Sequence, residues 1–101
     1  MPDSIEVFRE DETSHGAYRA DVPGSDRQPV LTWSARGPLR RADHPWVPPE
    51  ARGKGIAAAL VEALVADARE LGFKIVPQCS YVEAAFRRHP EWADLRASAG
   101  D

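Results

Sequence analysis

The hydrophobic period of the chain changes once, near residue 50. Before that point apolar positions alternate with polar ones, the signature of strands with one buried face. Ile5, Val7 and Arg9 alternate with Glu6 and Phe8 in a first strand that ends at Glu10-Asp11-Glu12. His15 to Val22 forms a second, with Tyr18, Ala20 and Val22 on one face and a turn at Pro23-Gly24-Ser25-Asp26. Val30 to Arg36 forms a third, with Leu31, Trp33 and Ala35 together, and Gly37-Pro38 turns the chain again. A fourth strand runs from Leu39 to Val47 and is interrupted at Pro45, which has no N–H for a ladder and predicts a bulge or an edge.

After residue 50 the period becomes helical. Ile56, Ala57, Leu60, Val61, Leu64, Val65, Ala68 and Leu71 recur at i, i+3 and i+4 between Lys54 and Leu71. Lys54, Glu62, Asp67, Arg69 and Glu70 are expected on the opposite, solvated face, and Gly72 stops the helix. Phe73 to Pro77 reads as a fifth strand. Ser80-Tyr81-Val82-Glu83 fits a capping box, Ser80 at the cap and Glu83 three residues on, opening a second helix that Pro90 ends. A turn through Trp92 and Leu95 is expected in the tail.

The order is therefore β-β-β-β-α-β-α. Short connections make the first four strands an antiparallel meander, and the helix between strands four and five makes a βαβ crossover, expected to be right-handed and parallel. The class is α+β, bordering on α/β, with a mixed but largely antiparallel sheet.

Length and charge narrow the function. At 101 residues the chain is expected to be a single domain, 1–101, with an ordered core over about 5–95. With 13 basic and 16 acidic residues the net charge is −3, which argues against a general nucleic-acid partner. No apolar run reaches the roughly 20 residues of a membrane span, and the first residues carry no secretory pattern. Cys79 is the single cysteine, so no internal disulfide is possible and a reducing cytoplasm is the expected setting. His15, His44, His89 and Cys79 lack metal-ligand spacing, and no metal is expected.

The chemistry concentrates where the fourth strand meets the first helix, at Val47-Pro48-Pro49-Glu50-Ala51-Arg52-Gly53-Lys54-Gly55-Ile56-Ala57. The first N–H groups of a helix have no intrahelical partner, and its dipole favours an anion there. Glycines let a phosphate approach the backbone, and Arg52 and Lys54 add charge. A solvated turn with tight packing is the competing reading. A P-loop is excluded, because a proline stands where its first glycine is needed and Gly55 follows Lys54. A dinucleotide fingerprint would need glycine at Ala58 and a parallel repeat.

The segment resembles motif A of the GNAT superfamily of acyl-CoA-dependent acetyltransferases, Arg/Gln-x-x-Gly-x-Gly/Ala, read here as Arg52-x-x-Gly55-x-Ala57. The elements Pro77-Gln78-Cys79-Ser80-Tyr81-Val82 and His89-Pro90-Glu91-Trp92 resemble the short single-domain YjdJ-type branch of that superfamily. The resemblance implies a minimal GNAT fold and an acetyl-CoA-dependent N-acetyltransferase. It implies cofactor contacts at Val47, Arg52, Gly53, Lys54, Gly55, Ile56 and Ala57. The acceptor would be a small-molecule amine or a protein amine, with no nucleic acid, no membrane and a monomeric chain. The alternative is an acyl-CoA-binding module with little or no turnover, acting as a sensor or partner domain.

The catalytic set departs from the superfamily's. The tyrosine that protonates the leaving thiolate in many members falls here on Phe86. Tyr81 lies a turn or more earlier. Cys79, at the start of a helix, is a candidate nucleophile or thioester neighbour, because that position favours thiolate; a buried small hydrophobe is the bland alternative. His44 on the fourth strand is the candidate base, with Glu50 behind it. A backbone N–H near Trp46 or Val47 could polarise the thioester carbonyl. Trp33, Trp46 and Trp92 are expected as core anchors.

Overall fold

The structure, a computed structural model, describes residues 6–22, 27–53 and 55–97. Ile5, the turn Pro23-Gly24-Ser25-Asp26, Lys54 and the last four residues lie outside the described residues.

Five strands form one sheet: β1 (Val7–Asp11), β2 (His15–Ala20), β3 (Val30–Arg36), β4 (Leu39–Ala42) and β5 (Lys74–Pro77), in the spatial order of the sequence. β1 to β4 pair antiparallel, and β4 and β5 pair parallel, with Leu39 opposite Lys74 and Ala42 opposite Pro77. Helix α1 (Ile56–Leu71) makes the crossover, and α2 (Ser80–Arg88) follows β5. Two 3-10 turns, Pro49–Ala51 and Pro90–Leu95, flank the helices. The expected α+β order and mixed sheet are therefore present.

One face of the sheet is dry. Tyr18, Ala20, Leu31, Trp33, Ala42 and Ile75 are buried on it, against Ile56, Leu60, Val61, Leu64, Val65 and Ala68 of α1. Burying a side chain such as Leu60 or Leu64 contributes roughly 2 kcal/mol. Val82, Ala85 and Phe86 of α2, with Trp92 and Leu95, extend the same core. On the other face Thr32, Arg41 and Lys74 are exposed, as an antiparallel sheet with one wet side allows. Gly16 is required by space: a Cβ there would stand 2.4 Å from the Glu10 carbonyl and 2.4 Å from the Trp33 ring.

Asp67 corrects the expectation of a solvated face, because it is only 9% exposed. It falls three residues after Leu64 and seven after Leu60, inside the apolar stripe, while Leu71 at the end of that stripe is 64% exposed. Arg9 donates Nε and Nη2 to its two carboxylate oxygens at 2.8 and 3.0 Å, and the Tyr18 hydroxyl donates to Oδ2 at 2.7 Å. Burial alone would raise the Asp67 pKa, but the hydrogen bonds from Arg9 and Tyr18 outweigh it and hold the carboxyl below its ordinary value. Burial, and then the bond to Asp67, push the Tyr18 hydroxyl up.

β4 is shorter than the predicted strand. Trp33 pairs with Ala42 and the Asp43 N–H reaches the Thr32 carbonyl at 2.9 Å, but the next bridge joins Val30 to Trp46. One extra residue has entered the strand between those bonds, at His44-Pro45, which is the bulge that Pro45 predicts. Past Ala42 the chain follows β3 alone, while β5 stops at Pro77 and turns into α2. The two parallel strands part at this point.

Candidate cofactor cleft

The parting of β4 and β5 leaves two hollows that share Val47, Arg52, Ala57 and Tyr81. The first, about 230 Å³, is also lined by Gly53, Gly55, Ile56 and Ala58. The second, about 350 Å³, is also lined by His44, Pro45 and Trp46. Together they form a cleft with a glycine loop at one end and a histidine at the other.

The loop end leaves donors unsatisfied. Gly53 and Gly55 stand at φ +83° and +77°, the left-handed region that other residues enter only under strain. A Cβ at either would meet nothing within 4 Å, so the backbone angle, and not crowding, selects glycine. Gly55 is the N-cap of α1, and among the described residues no side chain accepts a hydrogen bond from that helix's first turn. The cap of α2 is filled: the Cys79 Sγ accepts from the Val82 N–H at 3.5 Å. The open helix end thus faces the first hollow and suits an anion. Arg52 arches over the loop and donates Nε to the Val47 carbonyl at 3.0 Å.

At the other end three prolines, Pro45, Pro48 and Pro49, remove N–H groups from a short segment. The Trp46 N–H is taken by the Val30 carbonyl at 2.7 Å. Of the two backbone donors considered from sequence, Trp46 is therefore engaged. No described residue accepts from the Val47 N–H, and Val47 lines both hollows.

The structure brings together Val47, Arg52, Gly53, Gly55, Ile56, Ala57 and His44; Lys54 lies outside the described residues. His44 is exposed and sits in the bulge, beyond the end of β4. Cys79 does not line either hollow; it is half-buried at the N-cap of α2. That position displaces Ser80, the predicted cap, to the first helical residue. The Glu83 backbone N–H bonds the Cys79 carbonyl at 3.0 Å, and its side chain turns to Arg96, so no capping box forms. Glu50 is exposed and paired with Arg27 at 3.1 Å. Phe86 is buried edge-on against Trp92, with ring centroids 5.6 Å apart.

Two aromatic residues lie elsewhere than the sequence suggests. Tyr81, expected a turn or more short of the site, lines both hollows, one residue into α2. Trp46 was expected in the core, but it is half-buried and lines the second hollow, with the Arg27 guanidinium 5.5 Å from its ring. Trp33 and Trp92 are buried as expected. The described residues bring no three His, Cys, Asp or Glu side chains together as a metal site, and none of their helices is long and apolar enough to cross a membrane.

A family model described as GCN5-related N-acetyl-transferase matches residues 17–95. That match runs from β2 through both hollows to the second 3-10 turn. None of the curated proteins compared with the chain matches it.

Proposed function

Since this chain belongs to the GCN5-related N-acetyltransferases, its general role is acetyl transfer, and we propose that it moves acetyl from acetyl-CoA to an amine, in the manner of the YjdJ-type branch. The single observation that carries the reading is the open N-terminus of α1 beneath two left-handed glycines, with Arg52 beside it. Those donors fit a pyrophosphate. Gly53, Gly55, Ile56 and Ala57 would hold it through backbone N–H groups, and Arg52 through its guanidinium, with Lys54 assigned to the same loop by the resemblance.

Bound there, acetyl-CoA would supply a thioester: the amine nitrogen would take the acetyl group and give up one proton, and coenzyme A would leave as a thiolate that takes up one proton. The chain's own residues then divide the work. The Val47 N–H is the donor for a carbonyl oxygen in the second hollow. His44 lines that hollow and is our candidate to accept the amine proton. Tyr81, between the hollows, is the tyrosine nearest this work now that Phe86 is a core ring. Cys79 is proposed as a neighbour of the reacting end from the α2 cap. The binding-module alternative is not favoured by membership of an acetyltransferase family. We further propose a single domain acting as a monomer in the cytoplasm on a small-molecule or protein amine.

The test is release of free coenzyme A from acetyl-CoA with a panel of small amines and lysine or N-terminal peptides. We expect turnover with at least one amine, and a loss of about a hundredfold in kcat for His44→Ala. Mass spectrometry after incubation with acetyl-CoA decides the covalent role of Cys79: an acetyl adduct absent from Cys79→Ala supports it, and no adduct with unchanged turnover refutes it.

A further inference from the structure

The element His89-Pro90-Glu91-Trp92 and the residues after it take no part in the cleft. The imidazole of His89 stacks on Trp92 with centroids 4.0 Å apart and an interplanar angle of 13°, and its Nδ1 lies 3.0 Å from Glu91 Oε2. Trp92 and Leu95 plug into the core. Beyond them the chain runs along the outer edge of β5. Arg96 bridges Ile75 in parallel register, and the Ala97 N–H donates to the Ile75 carbonyl at 2.8 Å. From that edge the Arg96 side chain reaches α2: its Nη2 donates to both oxygens of Glu83, at 2.6 and 2.7 Å. The Glu83 side chain is only 26% exposed, and Arg87, 3.7 Å away, is its one other cation among the described residues.

Glu83 is two residues after Tyr81. At 3.6 residues per turn the two side chains leave α2 in nearly opposite directions. Tyr81 faces the cleft and Glu83 faces the tail. Arg96, anchored by its backbone to β5, thus holds the first turn of α2 from behind. That turn is also held by the buried Val82, by the Glu83 N–H on the Cys79 carbonyl at 3.0 Å and by the weak sulfur acceptor of Cys79, and Arg96 is the side chain that grips it on the face opposite Tyr81.

We propose that Arg96 is a positioning residue: through Glu83 it sets the first turn of α2, and so the place of Tyr81 in the cofactor cleft. The inference rests on the acetyl-CoA reading of that cleft. Arg96 lies one residue past the stretch that the family model matches, so it is a feature of this chain that the family assignment does not supply.

Two measurements test it, one without cofactor. Hydrogen exchange on the free chain should quicken about fivefold at the Val82 and Glu83 amides in Arg96→Ala, a figure typical of losing one good ion pair. The charge swap Arg96→Glu with Glu83→Arg should restore slow exchange. Calorimetric titration with acetyl-CoA should show a similar loss, about fivefold, for Arg96→Ala in the natural background. In a Tyr81→Ala background the same change should weaken binding less than about twofold, because the residue it acts through is gone. Equal losses in both backgrounds would make Arg96 merely structural and overturn the proposal, as would unchanged exchange in Arg96→Ala. If exchange behaves as expected but the natural chain binds no acetyl-CoA, the cleft reading falls and the tail's hold on α2 stands.

Discussion

Two regions of the molecule treat polar groups in opposite ways. Where α1 crosses β1 and β2, Asp67 is buried and takes three hydrogen bonds, two from Arg9 and one from Tyr18. Where α1 begins, no described side chain caps the helix, two glycines hold left-handed angles, and the Val47 N–H has no described acceptor. A satisfied polar cluster fixes an element in place. An unsatisfied one is a site waiting for a partner. The same helix carries both, the closed cluster in its C-terminal half and the open site at its first turn.

The largest expected effect comes from breaking the closed region. Asp67→Ala strands the Tyr18 hydroxyl in the core and unpairs Arg9, and should cost about 3 kcal/mol in urea unfolding. The folded protein should keep its acetyl-CoA affinity within about twofold. A large loss of affinity at full folding would show that the two regions are not separable. Gly55→Ala strikes the open region. Forcing a Cβ into the left-handed region costs about 1–2 kcal/mol of stability, and acetyl-CoA binding should weaken by more than that cost explains. Arg52→Ala should leave the melting temperature nearly unchanged and weaken acetyl-CoA about tenfold, with a shallower salt dependence.

The pH response sharpens the contrast. The Asp67 carboxyl is depressed in the folded chain, so its contribution is complete above the unfolded value of about 4 and drains away as pH falls through the folded one. Tyr18 is raised, so its contribution is complete below about pH 10 and is lost as pH climbs beyond. Asp67→Asn should flatten the acid limb of stability measured by chemical denaturation. An unchanged acid limb would mean that other carboxylates govern it.

Much of this was legible in the pattern of the chain. Period-two alternation points to β1 to β3 and their dry face through Tyr18, Leu31 and Trp33, and the turn at Gly37-Pro38 to the start of β4. Pro45 announced the bulge, and Arg52-x-x-Gly55-x-Ala57 located the loop before any coordinates. Three things were not legible, for physical reasons. Asp67 was placed by its charge on the solvated face, although its spacing from Leu60 and Leu64 put it in the buried stripe; only long-range partners, Arg9 and Tyr18, make that tolerable. The cap of α2 went to Cys79 because a thiol that can accept from Val82 already occupies the position before Ser80. Tyr81 entered the cleft because the bulge draws β4 away from β5, a tertiary event that local spacing does not encode.

Everything proposed for the cleft depends on the open start of α1 holding the pyrophosphate of acetyl-CoA. Calorimetric titration of the natural chain and of Gly55→Ala with acetyl-CoA tests it most directly. One-to-one binding in the micromolar range is expected for the natural chain, weakened at least about tenfold by the substitution. No heat at millimolar acetyl-CoA, or equal affinity in both proteins, would contradict it.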